Sequence, residues 1–142
     1  MNIDKYTNKS KSLITAAQNS AVAAGHQKFT AYHVLGELLN DEDGIIQNLI
    51  RKSGADFDNI KGLVDKELAN IPVISGGGAG QVYLDSDTAK VFKVAEDIAH
   101  KAGDQFVTLE RLFQAVMASK TAAAKLLSGA GLDLKKLEAA ID

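Results

Sequence analysis

The chain has no cysteine and no tryptophan, and it has a single proline among 142 residues. Without cysteine, a disulfide framework, a thiolate-bound zinc ion and a thiol nucleophile are all excluded. No apolar run approaches the ~18 residues that a membrane-spanning helix needs, and the amino terminus lacks the apolar core of a signal peptide. We therefore expect a cytoplasmic protein that has no membrane partner.

Neither sign of charge dominates the sequence. Sixteen basic and eighteen acidic side chains leave a formal net charge of −2. This charge is too small to attract a phosphate backbone, so nucleic acid is not an expected partner. Hydrophobic residues make up 46% of the chain and charged residues 24%, which are ordinary values for a globular protein. The length suits one domain.

Two segments of the chain resemble each other when one is shifted along the other by 78 positions. The shared residues fall at matching points of the same apolar pattern, whereas chance identities would be scattered. The matched pairs include Gly25 with Gly103 and Thr30 with Thr108. We interpret this pattern as an internal duplication.

A stretch rich in helix-breaking residues separates the two copies. It begins at Pro72, the only proline, and has four glycines in the five positions 76–80. Each glycine disfavours a helix by about 1 kcal/mol relative to alanine, so this stretch is predicted to be a flexible linker. The predicted boundaries are repeat one at 1–71, the linker at 72–84 and repeat two at 85–142.

Apolar residues follow the helical period within each copy. In the second copy, one apolar stripe begins at Val91 and includes Val94, and Gly103 is placed to end that helix. Thr30 and Thr108 stand where the next helices need an N-cap. This pattern gives about four helices per copy. The predicted fold is all-α: an eight-helix globular domain made of two pseudo-twofold-related four-helix repeats.

The polar residues form no recognisable catalytic motif. The glycine run at 76–80 lacks the lysine and the spacing of a phosphate-binding loop, and no serine stands in a nucleophile-elbow pattern. The acidic run at 40–44 lacks the ligand order of a calcium loop, and we predict that it is a solvated turn that caps the next helix. We therefore predict that this chain is not an enzyme.

Three residues leave a metal-dependent enzyme open as an alternative. His33 and Glu37 lie one helical turn apart, and His26 lies just before that helix. However, the pattern is not His-Glu-x-x-His, and the second copy has no histidines at the equivalent positions. Surface or capping histidines are therefore the preferred interpretation, and no metal is expected.

Three segments of the chain resemble a known family: the opening Met1–Thr7, the segment Gly25–Leu35 and its echo Gly103–Phe113. They are similar to the paired Clp repeats of the amino-terminal domain of ClpB-type disaggregase chaperones. The resemblance implies an eight-helix module tethered to two AAA+ rings, which form a hexamer, hydrolyse ATP and thread aggregated polypeptide through a pore. ATP and Mg²⁺ would belong to those rings. No cofactor is therefore expected in this chain, which would be an excised fragment.

The same resemblance implies that the chain captures exposed apolar segments of misfolded clients. Its partners would be unfolded or aggregated polypeptides and the remainder of the hexameric chaperone. Two further functions stay open. The chain is also compatible with an adaptor-docking domain, as in the ClpA and ClpC relatives, or with a free-standing helical scaffold.

Three polar residues match the family pattern and are candidates for substrate binding: Thr7, Asp104 and Glu110. Each has a structural interpretation as well. Thr7 would stabilise the first turn of its helix, Asp104 would serve the loop after Gly103, and Glu110 would complement a helix dipole.

The apolar candidates for substrate binding are Tyr83, Phe92, Val94 and Leu109, because the client groove of the family maps onto this neighbourhood. Phe92 lies at the edge of the apolar stripe, so a groove position and a core position are equally open. Val94 lies on the stripe, which favours the core. On the groove interpretation, Phe92→Ser leaves folding largely intact and weakens the capture of an unfolded protein.

Overall fold

The computed structural model of the chain describes residues 1–74 and 81–142, so the glycine run of the predicted linker lies outside the described residues. The all-α prediction is confirmed. Besides a short 3-10 helix at Ile3–Lys5, the described residues form two short strands, β1 (Lys28–Phe29) and β2 (Tyr83–Leu84), which pair in parallel. They also form eight α-helices: α1 (Asn8–Ala23), α2 (Ala31–Leu39), α3 (Ile45–Lys52), α4 (Phe57–Ala69), α5 (Ser86–Lys101), α6 (Leu109–Ala118), α7 (Ala122–Gly129) and α8 (Leu134–Ile141).

The residues that punctuate the two copies act alike. Gly25 and Gly103 follow α1 and α5 with φ angles of 73° and 78°, a left-handed conformation that favours glycine and ends the helix. Thr30 and Thr108 stand immediately before α2 and α6. The hydroxyl of Thr108 accepts a hydrogen bond from the backbone N–H of Arg111 at 3.2 Å.

Backbone hydrogen bonds connect the two halves of the chain in a reciprocal way. The N–H of Thr7 donates to the carbonyl of Val107 at 3.1 Å, and the N–H of Asp85 donates to the carbonyl of Phe29 at 3.1 Å. Both residues of the second pair are 78 positions from their counterparts in the first pair. This correspondence favours the interpretation as a duplication, and the pseudo-twofold relation stays a prediction.

The core lies between α2 and α6, which pack against each other and against the remaining helices. Val34, Leu35, Leu112 and Phe113 on these two helices have no exposed surface. Small residues of α1 and α5 are also buried, which lets helix axes approach closely; they are Ala17, Ala21, Ala95 and Ala99. None of the helices in the described part of the chain has the length and apolar content needed to cross a membrane.

The acidic turn at 40–44 caps the next helix, as predicted, but it is not fully solvated. The Asp41 side chain accepts hydrogen bonds from the backbone N–H groups of Asp43 and Ile45. Only 3% of that side chain is exposed, and Lys9 of α1 lies 3.5 Å from its carboxylate. The prediction of solvation was therefore wrong at Asp41, because a lysine from another helix covers this carboxylate.

Candidate functional site

Three of the seven predicted site residues line one cleft. Thr7, Asp104 and Glu110 meet there with exposed Phe106 and with Ile141 at the end of α8. The hydrogen bond from Thr7 to Val107 brings the start of α1 beside the loop between α5 and α6. We call this site, with a volume of about 410 Å³, the repeat-two cleft.

Two of the polar residues in the repeat-two cleft have a structural task. The hydroxyl of Thr7 accepts the backbone N–H of Ser10 at 3.1 Å and so caps α1. Asp104 accepts a hydrogen bond from Nε of Arg111 at 2.8 Å. Glu110 lies in the first turn of α6, where the helix dipole stabilises its carboxylate. Among the described residues no ion pair includes Glu110.

The apolar side of the repeat-two cleft includes a residue that the sequence analysis missed. Phe106 is 42% exposed and lies in the loop before Thr108, so no helical period marks it. Its counterpart in the first copy is Lys28. The one signal available in the sequence was an aromatic residue in a short polar loop.

Phe92 lies in the core, which decides between the two alternatives left open at this position. Its side chain is 1% exposed. The ring of Tyr6 meets it edge-on, with ring centroids 6.2 Å apart, and the ring of Phe29 lies at 6.3 Å. Both neighbours come from the first repeat, so Phe92 is covered by the packing between the two halves.

The other apolar candidates are separated from the cleft as well. Leu109 is only 2% exposed and lies beside the acidic turn at 40–44, so it offers little surface to a ligand. Val94, expected in the core, is partly buried and packs against the core. Tyr83 is 58% exposed, and we call it, together with the exposed apolar residues Leu84 and Val73 that also pair with the segment 26–29, the strand patch.

The Tyr6 side chain closes the core near this region. Its hydroxyl donates a hydrogen bond to the carboxylate of Glu96 at 2.9 Å. Burial, and then the hydrogen bond and negative charge of Glu96, raise the pKa of Tyr6 far above its ordinary value. The hydroxyl therefore keeps its proton and acts as a donor that links the first residues of the chain to α5.

The predicted metal alternative does not assemble. Nδ1 of His26 lies 2.7 Å from Nε2 of His33, so the two rings bind each other. Glu37 accepts a hydrogen bond from Ser20 instead. In residues 1–74 and 81–142, no three metal-ligating side chains come together.

The prediction of surface or capping histidines is half right. Nδ1 of His33 accepts the backbone N–H of Thr30 at 2.9 Å, which caps α2. However, His26 and His33 are only 8% and 4% exposed. Burial, and then the positive charge of His26, lower the pKa of His33 to about 4.

Comparison with known sequences decides the family. The sequence model of the Clp repeat (R) N-terminal domain matches residues 5–141. The chain belongs to this family. The Clp repeat domain is 43% identical over 141 residues to the chaperone protein ClpB of Rickettsia felis, a match that covers 99% of this chain. It is 42% identical over 143 aligned positions, which cover 100% of this chain, to the chaperone protein ClpB of Rhodopseudomonas palustris. The resemblance to ClpB is thus confirmed, although the chain spans only 16% of the length of these relatives.

Solved structures of low sequence identity share the fold of this Clp repeat domain. The N-terminal domain of Hsp104 from Candida albicans gives a TM-score of 0.83 at 14% identity, covering 96% of this chain and 88% of that one. A ClpV N-domain, solved in complex with a VipB peptide, gives a TM-score of 0.73 at 14% identity, with coverages of 95% and 83%.

Proposed function

We propose that this Clp repeat domain recruits substrates for an ATP-dependent protein disaggregase of the ClpB type. In this proposal it binds exposed apolar segments of misfolded or aggregated proteins in the cytoplasm. The domain itself catalyses no reaction and holds no cofactor. ATP and Mg²⁺ act in the AAA+ part of the hexameric chaperone, to which repeat one (1–71), the linker (72–84) and repeat two (85–142) are joined.

The observation that carries this proposal is the composition of the repeat-two cleft. Phe106 and Ile141 provide apolar surface, and Thr7 and Glu110 stand beside them. An unfolded segment offers apolar side chains together with unpaired backbone N–H groups. A cleft that combines an exposed ring with oxygen acceptors suits both.

The size of this cleft suits weak and adaptable binding. Its volume of about 410 Å³ is at the small end for a ligand site. Such a site accommodates only a few side chains of a segment, so it selects by apolar character rather than by a long sequence. Weak individual contacts also allow a captured segment to leave for the next stage. The VipB peptide bound by a ClpV N-domain supports peptide binding by this fold.

The test compares Phe106→Ser with a control, Val22→Ser. Val22 on α1 is 40% exposed and Phe106 42%, but only Phe106 lines the repeat-two cleft. Binding of a fluorescent, permanently unfolded carboxymethylated protein is measured by anisotropy, with circular dichroism as the folding control. We expect Phe106→Ser to raise Kd about tenfold and Val22→Ser to leave it unchanged. Equal effects of the two variants, or no effect of Phe106→Ser, would contradict the proposal.

The charges in the same cleft favour adaptor docking as a second candidate function. Asp104, Glu110 and Arg111 all line it, and a folded adaptor of the ClpA or ClpC type would bind such groups through complementary charges. Binding of this kind weakens strongly as ionic strength rises, whereas apolar capture does not. A salt titration of the unfolded-protein complex therefore separates the two functions.

A further inference from the structure

Two buried histidines in the first repeat form a hydrogen-bonded chain that ends at α2. The backbone N–H of Thr30 donates to Nδ1 of His33 at 2.9 Å, and Nε2 of His33 lies 2.7 Å from Nδ1 of His26. Both side chains are more than nine-tenths buried. Neither residue lines the repeat-two cleft, so this pair has no part in the proposed binding.

The hydrogen-bond pattern assigns one tautomer to each ring. Nδ1 of His33 accepts the Thr30 N–H, so neutral His33 carries its proton on Nε2 and donates it to Nδ1 of His26. His26 therefore accepts at Nδ1 and carries its own proton on Nε2. Nδ1 of His33 also lies 2.9 Å from Oγ1 of Thr30, so a proton added to Nδ1 would exchange the bond from the Thr30 N–H for one to this hydroxyl.

An additional proton breaks the hydrogen bond from the Thr30 N–H to Nδ1 of His33 at the start of α2, whichever ring receives the proton. On His33 the proton must go to Nδ1, where it faces the N–H of Thr30. On His26 it also goes to Nδ1. Nδ1 of His26 then becomes a donor, so His33 keeps its hydrogen bond to His26 only if its Nε2 accepts. The proton of His33 must then move to Nδ1, where it again faces the N–H of Thr30.

The histidine pair holds both ends of β1. His26 lies just before the strand and its backbone forms a bridge with Val73. Thr30, which His33 caps, lies just after the strand. A change in the pair therefore acts on the whole of this short strand.

The segment that leads into β1 in turn holds the chain on both sides of residues 75–80. The N–H of Ile74 donates to the carbonyl of Gly25 at 2.7 Å, and the N–H of Tyr83 donates to the carbonyl of Gln27 at 2.9 Å. These hydrogen bonds position the strand patch over the first repeat.

Charged side chains on the neighbouring elements are engaged elsewhere. Lys28 on β1 lies 3.9 Å from Asp85, which precedes α5. Glu67 on α4 and Asp87 on α5 act on Tyr32, whose pKa is raised by burial and then by these two carboxylates. Among the described residues, the hydrogen bonds of the two imidazoles are to each other and to Thr30.

We propose that the His26–His33 pair is an acid-sensitive latch: uptake of a proton by the pair releases the cap of α2 and loosens the hydrogen bonds that Ile74 and Tyr83 donate to Gly25 and Gln27, just before β1. The loosened state exposes more of the strand patch. The inference stands independently of the proposed function, because it concerns only groups within the first repeat and the strand patch.

The first test follows amide hydrogen exchange by NMR between about pH 7.5 and 5, a range that spans the ordinary titration of histidine. After correction for the intrinsic exchange rate, we expect protection of the Ile74 and Tyr83 amides to fall about tenfold, since a helix cap is lost. The amides of Thr7 and Val107 hydrogen-bond to the carbonyls of Val107 and Lys5 beside the second repeat, which has no histidine pair, and they should keep their protection. Equal losses in both sets, or constant protection of Ile74 and Tyr83, would overturn the proposal.

The second test replaces the two histidines by an aspartate and an arginine, the residues that the second repeat has at the equivalent positions. In the double variant His26→Asp/His33→Arg, the acid-dependent loss of protection should disappear. Imidazole ¹⁵N shifts of the unaltered chain make the proposal testable even if this variant fails to fold. Both rings should carry their proton on Nε2 at about pH 7.5, with exposed His100 as the reference. A proton on Nδ1 of either ring under those conditions would rule out the latch.

Discussion

The two repeats place different polar pairs at the same point of the fold. In the first repeat His26 and His33 lie 2.7 Å apart, and at the equivalent positions of the second repeat Asp104 and Arg111 lie 2.8 Å apart. The first pair is buried, and its two rings hydrogen-bond to each other. The second pair is an ion pair that is only partly exposed, with 14% of the Arg111 and 32% of the Asp104 side chain accessible, and it helps to line a cleft. The same point of the fold therefore accepts either pair, and only the first is expected to respond to acid near neutral pH.

The two repeats also differ in the clefts beside these pairs. Thr30 and Tyr32 line a cleft of about 260 Å³ in the first repeat, whereas their counterparts, Thr108 and Glu110, line the repeat-two cleft of about 410 Å³. Tyr32 in the first cleft is half-buried, whereas Phe106 in the second is 42% exposed. The two halves therefore share a framework, while the more exposed aromatic surface lies in only one of these two clefts.

The largest expected effect comes from comparing the stability of variants at two phenylalanines of the second repeat, Phe92 in the core and Phe106 in the cleft. Phe92→Ser should lower the free energy of unfolding by about 3 to 5 kcal/mol, because it leaves a cavity in the core. Phe106→Ser removes an exposed ring and should change it by less than about 0.5 kcal/mol. Urea unfolding followed by circular dichroism measures both values. A Phe92→Ser variant of undiminished stability would show that this ring is not the core contact described here.

The equivalent glycines after α1 and α5 provide the second contrast. Both have positive φ, so alanine costs about 1 kcal/mol at either position. At Gly25 a Cβ would also lie 3.0 Å from Val73 and 3.2 Å from the carbonyl oxygen of Ile74, whereas at Gly103 nothing lies within 4 Å. We expect Gly25→Ala to cost about 2 to 3 kcal/mol, more than strain alone. Equal losses of thermal stability would break this distinction.

The histidine pair and the Asp–Arg pair should differ in how the free energy of unfolding depends on pH. The pKa of His33 is lowered to about 4 in the folded chain, against about 6.5 when unfolded. Below about pH 6.5 the unfolded state therefore binds a proton that the folded state refuses, and stability falls as the pH drops toward 4. Between about pH 7 and 5 we expect a loss on the order of 2 kcal/mol in the free energy of unfolding.

The double variant His26→Asp/His33→Arg should lose less stability over the same pH range, because its carboxylate and guanidinium stay charged there. Parallel pH profiles for the two proteins would contradict the assignment of this loss to the histidine pair.

The smallest effect concerns the hydroxyl of Tyr6, a group that its counterpart in the second repeat, Leu84, lacks. Tyr6→Phe removes the hydrogen bond to Glu96 and should cost about 1 kcal/mol. Tyr83→Phe, at an exposed hydroxyl beside Gln81, is the control and should cost almost nothing. If the two variants had the same unfolding midpoint in urea, the Tyr6 hydroxyl would contribute nothing to holding α5.

The helices and their limits were predictable because their signals are local. Gly25, Gly103 and Thr108 mark the helix ends by backbone conformation and capping, and the helical period identifies the apolar faces. The exact depth of a side chain was not predictable in this way. Phe92 lies at the margin of its stripe, yet the aromatic rings of Tyr6 and Phe29 cover it from the other half of the chain.

The candidate site was predictable only in part. Family resemblance placed Thr7, Asp104 and Glu110 among the candidates, but only the folded chain brings Thr7 to the loop before α6. Phe106 was missed because a loop residue has no period to identify it. The contact between His26 and His33 was missed because it depends on the turn between them; the sequence favoured surface or capping histidines and left a metal site only as an alternative.

The reciprocal hydrogen bonds between Thr7 and Val107 and between Asp85 and Phe29 make the two halves of the chain depend on each other. In each half, the backbone N–H at the start of the first helix donates to a carbonyl of the other half. Separating the halves would therefore leave two N–H groups and two carbonyls without the partners they have in the intact chain.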